Sequence, residues 1–149
     1  MTQTEAELEQ KLIERLTGLG YEPVTLHNAE DFKANLKAQL EKHNHIKLSD
    51  TEFKSILNHL DKGNVFDRAK RLRDKMELNR DDGTTFYLEF LNTAHWCQNQ
   101  YQVTNHFTQQ GKYKTRYDVT LLINGLPLVQ IELKRRGLEL KEAFNHIIR

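Results

Sequence analysis

At 149 residues the chain has the length of one domain, and 38% hydrophobic residues can supply a core despite 29% charged. The single cysteine, Cys97, excludes an internal disulfide and suits a reducing compartment, and no apolar run approaches the roughly 20 residues that span a bilayer. Net charge is only +1, but it is uneven: Gly111 to Arg149 holds eight Lys/Arg against four Asp/Glu, and the preceding stretch fourteen against seventeen, so the C-terminal end is the basic one and is compatible with a phosphate-bearing ligand.

The opening "MTQTEAELEQ" is acidic and helical in character, not a signal peptide, so a cytoplasmic protein with no membrane partner is expected. "TEAELEQKLIERLTGLGYE" predicts a first helix, with Thr4 and Glu7 as a capping box, an apolar stripe of Leu8, Leu12, Ile13, Leu16 and Leu19, and an end at Gly18 and Gly20. "NAEDFKANLKAQLEKHN" predicts a second, with Phe32, Leu36 and Leu40 four apart. "SDTEFKSILNHLDKGN" predicts a third, opened by Ser49 and Glu52 and stopped at Gly63. "VFDRAKRLRDKMEL" predicts a fourth, basic on one side. After the break at Asp81–Gly83, "TTFYLEFL" and "NQYQVTNHFTQ" predict strands by their β-branched and aromatic content. "GKYKTR" is a loop, a hairpin follows, and "ELKEAFNHIIR" closes as an amphipathic helix. Helices, then strands, then a helix imply an α+β fold. With no internal repeat or linker, residues 1–149 read as a single domain. The helix running to the last residue suggests the front piece of a longer protein.

The hairpin "RYDVTLLINGLPLVQIELKRRG" carries the chemistry. Residues two apart on a strand share a face, so Tyr117, Val119, Leu121 and Ile123 on the first strand and Val129, Ile131 and Leu133 on the second are expected to form one continuous apolar surface. The other faces carry Asp118 and Thr120, then Gln130, Glu132 and Lys134, with Glu132 and Lys134 roughly 6.5–7 Å apart. A two-residue turn at Asn124-Gly125 pairs Asp118 with Ile131 and leaves Asp118 and Glu132 on opposite faces. A three- or five-residue loop sets Asp118 against Glu132. Pro127, which lacks an N–H, favours the longer loop. Two carboxylates on one face repel unless a hard cation joins them, and Mg²⁺ commonly takes one or two carboxylates plus phosphate and water. A neighbouring lysine can stabilise charge on a phosphate or orient a water, so the set suits metal-assisted phosphodiester hydrolysis. From spacing alone, a solvated Asp/Glu/Lys patch is the commoner use of such residues.

Asp118, the apolar hairpin and "IELK" at Ile131–Lys134 resemble the PD-(D/E)xK nuclease superfamily. The longer block "RYDVTLLINGLPLVQIELKRRG…EAFNHI" looks much like the nuclease domain of type I restriction enzyme R subunits, and "ELEQKLIERLTGLGYE" is similar to that domain's opening helix. The resemblance implies a restriction-endonuclease-like core, a mixed or antiparallel sheet flanked by helices, and a Mg²⁺-dependent site cutting double-stranded DNA. Carried over by motif, Asp118 and Glu132 would bind the metal and Lys134 would be the catalytic lysine. Glu5 or Glu9, one helical turn apart, would be the supporting acid, against a reading of both as first-turn glutamates favoured by the helix dipole. Lys112, Lys114, Arg116, Arg135 and Arg136 would contact phosphates. The family's Q-x-x-x-Y motif follows E-x-K; His146 stands at its Gln position, and the chain ends at Arg149 before the Tyr. The alternative is therefore a catalytically incomplete module that docks DNA or a subunit of the same complex. The resemblance also implies modification and specificity subunits as partners. ATP would act only through domains outside this chain, which has no G-x-x-x-x-G-K-[ST] motif.

Three further signals read as structural. His43 and His45 sit at a helix end without further ligands, "HWC" at His95–Cys97 has no C-x-x-C partner, and "DRAKRLRDK" reads as a solvated helix face.

Overall fold

The computed structural model describes residues 5–63, 65–109 and 115–132, with backbone alone at 5, 65–66, 106–109 and 115–118. Its elements run α1 (Glu5–Gly18), β1 (Glu22–Pro23), α2 (Ala29–Asn44), α3 (Asp50–Leu60), α4 (Val65–Arg73), β2 (Met76–Asn79), β3 (Thr85–Leu88), a 3-10 turn (Trp96–Gln98), β4 (Tyr101–Gln109), β5 (Thr115–Ile123) and β6 (Leu126–Ile131). The α+β class expected from the sequence is found. A mixed sheet of order β1-β4-β5-β6 and a two-stranded ribbon β2-β3 accompany four helices, an arrangement consistent with a restriction-endonuclease-like fold. Thr4 and the closing helix lie outside the described residues.

The chain packs as two compact units. The first holds α1, β1, β4 and the body of the β5–β6 hairpin. Its core joins Leu12, Ile13 and Leu16 of α1 to Val103 of β4 and to Val119, Leu121 and Ile131 of the hairpin. β1 was not foreseen: it runs parallel to β4, Glu22 opposite Gln102 and Pro23 opposite Val103. Leu19, expected in the α1 stripe, lies beyond the helix end and is 73% exposed.

The second unit holds α2, α3, α4, the ribbon and the hairpin turn, residues 123–126. Its core is built on Leu36, Leu40, Ile56, Leu78, Leu88 and Phe90. The capping box foreseen at α3 is present, with the Glu52 N–H donating to Ser49 Oγ (3.1 Å) and the Ser49 N–H to Glu52 Oε1 (2.9 Å). The expected fourth helix stops early, at Arg73, because Met76 and Leu78 alternate inward from a strand. That strand pairs antiparallel with β3, Met76 opposite Leu88 and Leu78 opposite Phe86. Helical spacing of Leu72 and Met76 competes with the period-2 pattern, and burial against β3 and α3 decides for the strand.

His43 lies in the last turn of α2, its Nε2 2.9 Å from Glu89 Oε1, and the 3-10 turn with Trp96 and Cys97 is exposed. Both agree with structural readings. Residues 67–70 and 73–75 of the basic run are exposed, as a solvated face requires.

Candidate active site

The frame of the site is the β5–β6 hairpin, and its turn corrects the longer loop expected from Pro127. β5 ends at Ile123 and β6 begins at Leu126, so Asn124 and Gly125 alone reverse the chain. Their φ angles, 52° and 83°, are both left-handed, as a type I′ turn requires. Pro127 is tolerated because it is exposed in β6, the last strand in the described sheet order, where a missing N–H need not break the ladder.

The turn is held in place on two sides. A Cβ at Gly125 would lie 2.7 Å from Leu36 Cα and 3.2 Å from Gln39 Cβ, so the backbone lies directly against α2. Asn124 is fully buried. Its Nδ2 donates to the Phe90 carbonyl (2.7 Å) and to Asn99 Oδ1 (2.9 Å), and its Oδ1 accepts from the Gln100 N–H (2.7 Å). Its own N–H donates to the Gln100 carbonyl at 2.8 Å. Asn99 extends the network, donating to the carbonyls of Asn92 and Trp96 and accepting from the Asn92 N–H. Sequence reasoning found Asn124 only as a turn former. Its side-chain partners stand 24 to 34 residues away, where no local pattern signals them.

Of the candidate residues, Glu132 directly follows β6 and is exposed. Asp118 and Arg116 lie in β5 with backbone alone described. Lys134, Lys112, Lys114, Arg135, Arg136 and His146 fall outside the described residues, as does the side chain of Glu5. Glu9 is 7% exposed, on the stripe of α1 that also presents Leu12, Ile13 and Leu16. Among the described residues no group of three or more His, Cys, Asp or Glu side chains converges as a metal set.

The packing of the strands gives the site its faces. Val103, Val119 and Leu121 join one cluster with α1, and Ile131 packs against that same cluster. Thr104 and Thr120, each adjacent in sequence to a member of it, are also buried, and their Oγ1 atoms have no hydrogen-bond partner. Pro127 to Gln130 are all exposed, Leu128 at 38% and Val129 at 44%, so β6 shows no in-out alternation between Leu126 and Ile131. The apolar face expected at Val129 is therefore not a buried one.

The comparisons with known proteins agree on one family. The family model described as the type I restriction enzyme R protein N terminus matches residues 2–149. The chain is 49% identical to a type I restriction enzyme endonuclease subunit of Staphylococcus saprophyticus and 45% identical to one of Staphylococcus aureus, each over 99% of this chain and 16% of the relative. It is 39% identical to the EcoprrI endonuclease subunit of Escherichia coli, over 99% of this chain and 49% of that protein. The chain thus spans a small part of the Staphylococcus relatives and about half of the Escherichia coli one. It belongs to the family of type I restriction enzyme R protein N-terminal regions.

Proposed function

We propose that this chain is the nuclease domain at the front of a type I restriction endonuclease subunit. In this reading it cuts double-stranded DNA with Mg²⁺ in the cytoplasm, within a complex that also holds modification and specificity subunits. The observation that carries the reading is the packing of Ile131. An unbroken ladder from a two-residue turn pairs position 118 with position 131, which puts Val119 and Ile131 on opposite faces. Ile131 nevertheless packs against the cluster that holds Val119 with Leu16 and Val103. One extra residue in β6 between Leu126 and Ile131, a β-bulge, reconciles the turn with the packing. Beyond that bulge position 118 stands opposite position 132, the juxtaposition that a shared metal needs.

The donor set fits the metal. Asp118 and Glu132 offer the hard oxygen ligands that Mg²⁺ takes, and Glu132 is exposed, leaving room for water and phosphate. When bound, Mg²⁺ would supply a Lewis acid at the scissile phosphate and a more acidic water. Asp118 and Glu132 would hold it, and Lys134 would stabilise the charge that develops on the phosphate or orient the attacking water. Glu5 or Glu9 would be the supporting acid; Glu9 is buried on the stripe of α1 that also presents Leu12, Ile13 and Leu16. Lys112, Lys114, Arg116, Arg135 and Arg136 would contact DNA phosphates, with His146 a further candidate.

The test uses the full-length subunit assembled with its partners. Asp118→Ala, Glu132→Ala and Lys134→Ala should each abolish cleavage and leave ATP hydrolysis intact, since the phosphate-cradling loop lies outside these residues. A Lys134→Ala subunit that cuts at the wild-type rate would refute the lysine's role. Loss of ATP hydrolysis in all three variants would point instead to a docking hairpin.

A further inference from the structure

We propose that Asn124 is a positioning residue for cleavage. Its buried side chain holds the hairpin turn in the two-residue form which, together with the β6 bulge inferred above, would set position 118 opposite position 132. The inference rests on the nuclease reading above and extends it to a residue that touches neither metal nor DNA.

The argument begins with what the turn controls. Strand side chains alternate, so a change of one residue in the loop exchanges the faces of everything beyond it. With one bulged residue in β6, the pairing of position 118 with position 132 depends on keeping the count of residues between Ile123 and Leu126 at two. Asparagine and glycine both enter the left-handed region readily, so the dipeptide alone permits a type I′ turn. Permission is not selection, however. Pro127, one residue into β6, cannot donate a ladder hydrogen bond and so does nothing to select the turn.

Asn124 supplies the selection. Four hydrogen bonds, three from the side chain and one from the backbone N–H, join it to Phe90, Asn99 and Gln100. The site is fully buried, so each group released from it would lose its partner without gaining water. A longer loop would carry the Asn124 carboxamide away from the Phe90 carbonyl, the Gln100 N–H and Asn99 Oδ1 together. The network thus penalises the alternative register. Asn99 is in turn fixed by the carbonyls of Asn92 and Trp96, which makes the acceptor rigid.

The experiment reads register without metal and cleavage with it, in the full-length subunit. A Cys97→Ser background removes the exposed native thiol, and Asp118→Cys with Glu132→Cys then reports pairing through a disulfide mapped by mass spectrometry. Directly opposed strand positions come close enough for that bond, and positions on opposite faces do not. The cross-link should form with Asn124 present and fall about tenfold in Asn124→Gly, which keeps the left-handed backbone but deletes the side chain. In the native-carboxylate subunit, Asn124→Gly should slow cleavage roughly 10–100-fold, the usual effect of losing a group that orients a metal ligand, with ATP hydrolysis unchanged. Asn99→Ala, which removes one acceptor and leaves the turn intact, should give a smaller loss of the same kind and carries the test if Asn124→Gly does not assemble. An undiminished cross-link in both variants, or no cross-link with Asn124 in place, would overturn the proposal. If Asp118→Ala still cuts DNA, the nuclease reading fails and the proposal fails with it; if Asp118→Ala is dead and the Asn124 and Asn99 variants cut normally, only the positioning role is lost.

Discussion

Two glycine turns of this chain have nearly the same backbone and different surroundings. Gly125 closes the β5–β6 hairpin with φ 83°, and Gly83 closes the β2–β3 ribbon with φ 86°. At Gly125 an added Cβ would meet the backbone of α2, whereas at Gly83 it would meet nothing within 4 Å. Each turn also has a buried polar anchor, of opposite electrical character. The hairpin turn is held by the neutral amide of Asn124. The ribbon turn is held by the carboxylate of Glu52, whose Oε2 accepts from Arg80 Nε (2.7 Å) and from the Asp81 N–H (3.1 Å). Arg80 continues to the Lys47 carbonyl at 2.6 Å. A neutral anchor holds its geometry at any pH, and a charged one links its turn to proton concentration. The turn that carries the proposed site is the one insulated from pH.

Gly125→Ala should produce the largest effect. It adds left-handed strain to a contact that only a shift of the α2 backbone can relieve. Together these should cost about 3–5 kcal/mol in unfolding of the chain. A loss below about 1 kcal/mol would show that α2 yields, and would remove the turn's second anchor.

Glu52→Gln should come next and should show itself in pH rather than at one condition. The carboxyl is held down to about 2, from an ordinary 4.5, by the Ser49 N–H first, then by the Arg80 guanidinium and the Asp81 N–H, against the opposing effect of burial. A depressed carboxylate contributes stability that is complete above its unfolded value and disappears as pH falls through its folded value. Wild-type unfolding free energy should therefore drop between pH 4.5 and about 2 relative to that of the Gln variant. The Gln variant should be the less stable at neutral pH, because Arg80 loses its ion-pair partner. Parallel pH profiles for the two proteins would show that Glu52 does not carry this linkage.

The two anchors also differ in how readable they were. Ser49 and Glu52 are three apart at a helix start, so the capping box was legible; that the same carboxylate also captures Arg80 and Asp81, 28 and 29 residues on, was not. Met76 and Leu78, followed by Asp82-Gly83 and then "TFYL", are a hairpin signal that the helical spacing of Leu72 and Met76 obscured. At β5–β6 the dipeptide Asn124-Gly125 gave the right turn, and the weight placed on Pro127 gave the wrong loop. What decides there is the fit of the turn against α2 and Phe90, which no local pattern contains. The proposed site residues were legible through the resemblance of their types and spacing to a known motif. The network that holds their hairpin was not, because it is assembled from distant asparagines.

Gly83→Ala should give the smallest effect and completes the comparison. The left-handed backbone strains alanine as it does at Gly125, but no neighbour resists the methyl group. Alanine also narrows the unfolded ensemble, which returns about 0.4–1 kcal/mol. The turn has its own local bonds: the Thr84 N–H and Oγ1 donate to Asp82 Oδ1 at 2.9 and 2.6 Å, and the Arg80 N–H donates to the Thr84 carbonyl at 2.7 Å. A net loss of about 1 kcal/mol in chemical denaturation is expected. Because strain and unfolded-state terms are common to both substitutions, the excess cost of Gly125→Ala over Gly83→Ala measures the approach to α2. Equal losses at the two positions would mean that conformation alone sets both, and that the hairpin turn is held by Asn124 without help from the helix.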